Sequence, residues 1–220
     1  MYLAKQVRTD LHKIRQHFTG TVPYSKIIEI LTPVLKKYRA KPLLLLDNVD
    51  KNLCVVSGIF DTQTRRMPIT IEITCSAKGT SVRQAKKYWE NFLFDIFEIL
   101  LHENLHLCQF SYRDTNEMSY FFELDDGEKM TEEQEYFAMQ DEIEAYGLSI
   151  ALEILYQFPK KNPFDVLRDL NKNGSITYDL YQKKFHGTKW SDIRQLLLKK
   201  IYRWLNDCVD NDWGFYSTNK

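Results

Sequence analysis

Two histidines four positions apart, His102 and His106, close a long apolar stretch of this chain, and Glu103 follows the first of them. The residues leading to them, Tyr88, Trp89, Phe92, Leu93, Ile96, Phe97, Leu100 and Leu101, recur at helical spacing over a wide face. A helix that apolar is buried, and buried imidazoles without partners are costly. The fold must therefore cover this helix and satisfy both histidines at its end. A metal ion would do so. Residues i and i+4 share one face of an α-helix, so both imidazoles reach one ion. Glu103 is turned about 100° from His102 around the axis, beside the ion rather than on it. From there it can hold and deprotonate a water that the metal has acidified.

A catalytic zinc site needs three protein ligands and one open position. Position 112, where a third histidine would extend the pattern, is Tyr112, and the only other histidine downstream is His186. The acidic segment Asp141-Glu142-Ile143-Glu144-Ala145-Tyr146 is the better source. Glu142 and Glu144 lie about 200° apart on a helix, so only one can face the metal. Glu144 shares its stripe with Leu148, Ala151 and Leu155, the side expected to be buried. Glu142 shares its stripe with Tyr146, Ser149 and Glu153, expected to be wetter. Glu144 is thus the favoured third ligand and Glu142 the alternative. Small Ala145 is expected to let a second helix come close.

The rest of the composition narrows the field by exclusion. In 220 residues, 30 basic and 30 acidic side chains cancel. That balance gives no electrostatic footprint for nucleic acid or an anionic membrane. No run of 18 apolar residues exists, so no membrane span is expected. Cys54, Cys75, Cys108 and Cys208 are widely spaced, with no C-x-x-C pair. The start Met1-Tyr2-Leu3-Ala4-Lys5-Gln6 lacks an apolar signal core. The cysteines are therefore expected to be reduced, mostly buried thiols in a cytoplasmic protein.

Along the chain, an α+β, mostly helical single domain is expected. Residues 1–40 read as a helical appendage, with Leu3, Val7, Leu11, Ile14 and Phe18 on one stripe and Pro33 in a second helix. Residues 41–80 read as a small antiparallel sheet. In it 67–75 alternates strictly, Ile69, Ile71, Ile73 and Cys75 one way and Thr70, Glu72 and Thr74 the other, and pairs with 52–60. Leu43–Leu46 is a candidate third strand whose type the leucine run leaves open. Gly79-Thr80-Ser81 ends the sheet and opens the motif helix over 81–110, with Ser81 as N-cap. Thr131 and Gln134 form a capping-box pattern at the head of the third-ligand helix, 131–158. Asn162-Pro163 opens the C-terminal helices, 162–205.

H-E-x-x-H followed by a helical Glu-Ala segment resembles the gluzincin side of the zincin metallopeptidases. More narrowly, Leu101 to His106, then Asp141 to Gly147, Tyr181…Phe185 and Leu197 to Tyr202, are similar to small zincin-like proteins common among bacteriophage open reading frames. The resemblance covers about residues 52–205. It implies a zincin-like sheet packed on the motif helix and zinc held by His102, His106 and Glu144, with Glu103 as general base. The implied activity is peptide-bond hydrolysis in a protein or peptide substrate, in a host cytoplasm if the chain is phage-encoded. His186 and Tyr181 are the candidate oxyanion or substrate contacts, ahead of Tyr178 and Arg113. The strand 67–75 is the expected substrate-binding edge. The reading of a different class is a non-catalytic zincin-fold binding or virion-associated protein.

Overall fold

The computed structural model describes residues 3–50, 52–63, 66–112, 130–185 and 187–216. The chain divides into two compact units, residues 1–110 and 111–220.

The first unit begins with α1 (Leu3–Ile14), extended by a single 3-10 turn, Arg15–His17. Strand β1 (Gly20–Pro23) leads into α2 (Tyr24–Lys36). Strands β2 (Ala40–Asp47), β3 (Cys54–Phe60), β4 (Ile69–Ser76) and β5 (Ser81–Gln84) follow, then the 27-residue α3 (Lys86–Tyr112). Three expectations change here. Ser81 does not cap the motif helix, because Ser81–Gln84 pairs antiparallel with Gly20–Pro23 as a two-stranded ribbon. The N-terminal segment thus supplies one strand of this unit's hydrogen-bonded framework. The main sheet is mixed rather than antiparallel. Its order is β2-β4-β3, with β2 parallel to β4 and β3 antiparallel to it. Consequently β4, expected as the edge, is the central strand, and β3 is an edge.

The register decides which face is the core. Ile69, Ile71, Ile73 and Cys75 stand directly opposite Phe60, Gly58, Val56 and Cys54, so all eight share one face. That face meets α3: Tyr88 on α3 hydrogen-bonds the backbone of Cys54, and Ile99 lies against Gly58. The three isoleucines and Cys75 are fully buried there, and Thr70, Glu72 and Thr74 are only half-buried on the outer face. The alternation read from the sequence holds, because a strand with one face on a helix must bury every second side chain.

The second unit is helical: α4 (Glu132–Ala138), α5 (Gln140–Gln157), α6 (Pro163–Arg168), α7 (Leu170–Asn173), α8 (Ile176–Lys184) and α9 (Gly187–Asp210). Thr131 and Gln134 form the expected capping box, and the break falls at Met139, whose extended ψ of 135° interrupts the helix. Asn162 caps α6 through the Phe164 amide. Helix α8, which the sequence reading lacks, starts at Ser175, whose hydroxyl accepts from the Tyr178 amide. Above it the buried Glu153 carboxylate accepts from the Ser175 hydroxyl at 2.6 Å and from the Thr177 hydroxyl. Burial nonetheless pushes the Glu153 pKa up. Helices α5 and α9 pack closely at Gly147, where a Cβ would stand 2.7 Å from the Lys200 Cβ. Gly147 is a residue whose smallness this approach needs. Among the described residues no helix is long and apolar enough to cross a membrane.

Candidate metal centre

His102, Glu103 and His106 lie in the C-terminal half of α3, where its core-facing surface continues from Leu100 and Leu101 into polar side chains. His102, Glu103 and Asn104 are all buried. Asn104 donates to the Leu100 carbonyl of its own helix at 2.8 Å, so its amide is occupied locally.

The two imidazoles converge as the i, i+4 spacing requires. Their Nε2 atoms stand 3.1 Å apart, with the rings inclined at 72°. Two nitrogens each about 2.0–2.1 Å from a tetrahedral ion are separated by about 3.3 Å, so the pair matches a shared small cation closely. With a single proton between the nitrogens, the same geometry is an imidazole–imidazole hydrogen bond. The far side of His106 is fixed: its Nδ1 donates to Gln109 Oε1 at 2.9 Å, which leaves the Nε2 lone pair directed at His102. Phe60 of β3 stacks beside the His106 ring, at 6.5 Å between centroids and 28° between planes. Burial, with a smaller contribution from neighbouring His106, lowers the His102 pKa to about 3. His102 is therefore neutral throughout the physiological range, the form in which imidazole binds metal.

Strand β3 walls the other side of Glu103. A Cβ on Gly58 would lie 2.5 Å from Glu103 Oε1 and 2.5 Å from Ile99 Cγ2. Only a glycine lets the backbone come this close. Gly58→Ala is therefore expected to push the Glu103 carboxylate out of place while leaving both histidines where they are. Its signature would be a destabilisation of about 1–3 kcal/mol in urea unfolding. Wild-type stability in Gly58→Ala would mean that the contact does not confine Glu103.

In the second unit the two candidate carboxylates have different fates. Glu144 pairs with two cations of α9, Lys200 at 2.5 Å and Arg203, and its backbone carbonyl accepts from the Trp204 indole at 3.1 Å. Glu144 thus serves the α5–α9 seam. Glu142 is buried and lies on the opposite side of α5. The stripes do not sort burial because α5 is covered nearly all round: Ser149 and Glu153, on the side expected to be wetter, are buried along with Leu148 and Ala151. Amphipathic phase carries no information on such a helix.

The other candidates separate just as plainly. Tyr181 is fully buried, its hydroxyl donates to the Phe137 carbonyl at 3.0 Å, and its ring packs on Phe137 and Tyr146. Tyr178 is buried too, and its hydroxyl accepts from Arg194 at 2.9 Å. Both hydroxyls are engaged within the second unit. His186 and Arg113 lie outside the described residues. Gly58 and Gln109 are the site residues that sequence reasoning missed. Gln109 carried a signal, since it stands three residues after His106 on the same helix face. Gly58 carried none before the strand register was known. No family model, no curated protein and no solved structure matches this chain.

Proposed function

We propose that this protein is a zinc-dependent peptidase of zincin-like type, with His102, His106 and Glu142 as metal ligands and Glu103 as general base. One observation carries the reading: two histidines of one helix with Nε2 atoms 3.1 Å apart, next to a buried glutamate that belongs to the same helix. Glu142 replaces Glu144 in the proposed ligand set because the Glu144 carboxylate already neutralises Lys200 and Arg203. A purely structural zinc site would favour four protein ligands and would have no use for Glu103.

A bound zinc ion supplies Lewis acidity, polarising a carbonyl and bringing the pKa of water near neutrality. The chain's own residues account for the rest. Glu103 takes the proton of the attacking water and passes it to the leaving amine. Gln109 holds His106 in the tautomer that keeps Nε2 available as a ligand. Strand β3 has β4 as its one partner among the described strands, so its other edge can pair with an extended peptide. Gly58 keeps that strand against Glu103, which would bring a peptide carbonyl on the β3 edge close to the base.

The direct test is metal content. Protein purified without chelator is expected to carry about one zinc per chain, released by a strong chelator with a fall in thermal stability. Zinc-free protein that binds none at micromolar concentrations, with unchanged stability, would overturn the reading.

A further inference from the structure

Strands β3 and β4 place two cysteines directly opposite each other. Cys54 and Cys75 are the first cross-strand pair of the β3–β4 ladder, and their sulfurs lie 2.8 Å apart. Directly opposed residues of antiparallel strands have Cα atoms about 4.5 or 5.5 Å apart, and disulfides span Cα separations of about 4.4–6.8 Å. Closing to an S–S bond of about 2.05 Å therefore asks only for side-chain rotation. The backbone at this position is held on both sides. The Cys54 amide donates to the Tyr88 hydroxyl at 2.5 Å, and that hydroxyl donates to the Cys54 carbonyl at 3.2 Å. One residue beyond Cys75, the Ser76 carbonyl accepts from the Tyr24 hydroxyl at 3.2 Å.

We propose that Cys54 and Cys75 form a dithiol–disulfide site, oxidised by hydrogen peroxide or another small peroxide. The pair is graded in access: Cys75 is fully buried and Cys54 half-exposed. A thiol of one cysteine donating to the sulfur of the other eases loss of the first proton, so the Cys75 pKa is lowered, and it resists loss of the second, so that of Cys54 is raised. The remaining proton moves across the 2.8 Å gap, which brings the negative charge to the outer sulfur. The Cys54 thiolate attacks one peroxide oxygen, the O–O bond breaks, and the departing hydroxide takes a proton to become water. Cys54 is then a sulfenic acid. The Cys75 sulfur attacks the Cys54 sulfur, the S–O bond breaks, and hydroxide leaves with the Cys75 proton as a second water. Two thiols are oxidised to one disulfide and one peroxide is reduced to two waters. The other cysteines differ in kind, Cys208 being buried on α9 and Cys108 exposed on α3.

The test is peptide mapping of full-length protein treated with hydrogen peroxide, alkylated under denaturing conditions and digested without reductant. The expected product has lost two hydrogens, shows two of its four thiols blocked to alkylation, and yields a linked peptide joining Cys54 to Cys75 that dithiothreitol separates. In Cys75→Ser, peroxide should leave Cys54 as a sulfenic acid that dimedone traps. Recovery of Cys54 and Cys75 both alkylated after oxidation, or a link from either to Cys108 or Cys208, would overturn the proposal. The wild-type map decides this even if the variant fails to fold.

Discussion

Glu142→Gln is expected to weaken zinc binding by about tenfold or more, whereas Glu144→Gln should leave it within about twofold. Glutamine removes the charge that an anionic ligand contributes while keeping the shape of the side chain. Glu144→Gln has its cost elsewhere. It leaves Lys200 and Arg203 without their carboxylate, and because those cations are partly exposed the loss is about 1 kcal/mol of stability. His102→Ala is the limiting case and should abolish stoichiometric binding. Competition against a chromophoric chelator gives the affinities, and urea unfolding of the zinc-free proteins gives the stabilities. The reverse pattern, with Glu144→Gln losing zinc and Glu142→Gln keeping it, would return the ligand to the residue that the sequence favoured.

Glu103→Gln should retain zinc at full stoichiometry and lose turnover by about 10²-fold or more. Glutamine is nearly isosteric and cannot accept the proton, so the variant separates chemistry from binding. The buried position beside Gly58 makes the contrast clean, because the amide fits the same space against the same strand. Peptide libraries and folded protein substrates supply the assay, with zinc measured on the same preparations. Equal behaviour of wild type and variant across those substrates would favour the non-catalytic reading, a zincin-fold binding or virion-associated protein stabilised by its metal. An i, i+4 histidine pair speaks to a candidate site and not to a substrate.

Local patterns were legible in the sequence, and pairings between distant segments were not. The alternation of Ile69, Ile71 and Ile73 marks β4, because one face of that strand is core and the other is not. The Thr131–Gln134 capping box and the Asn162-Pro163 helix start are chemical signals confined to one turn, and both appear where expected. Strands β1 and β5 are four residues each, too short for any period, and exist only because each supplies the other's hydrogen bonds across some sixty intervening residues. The leucine run of β2 gives no phase, and its parallel pairing with β4 follows from topology alone. The same holds for which strand is an edge. At the candidate site, His102, Glu103 and His106 are set by a spacing within one helix. The choice between Glu142 and Glu144 depended on the neighbours of α5, and Lys200 and Arg203 are some sixty residues away in the chain.

The strand order β2-β4-β3 has a consequence for how the chain acquires its structure. During synthesis β2 and β3 emerge first, yet neither pairs with the other in the finished sheet; both wait for β4. The β3–β4 hairpin closes over a short loop, so it is the earlier event, and β2 must then dock across a longer separation. Until residue 76 has left the ribosome, the leucine-rich β2 and the valine- and isoleucine-bearing β3 are two strands without partners. That interval is when this chain is most open to association with other unfinished chains.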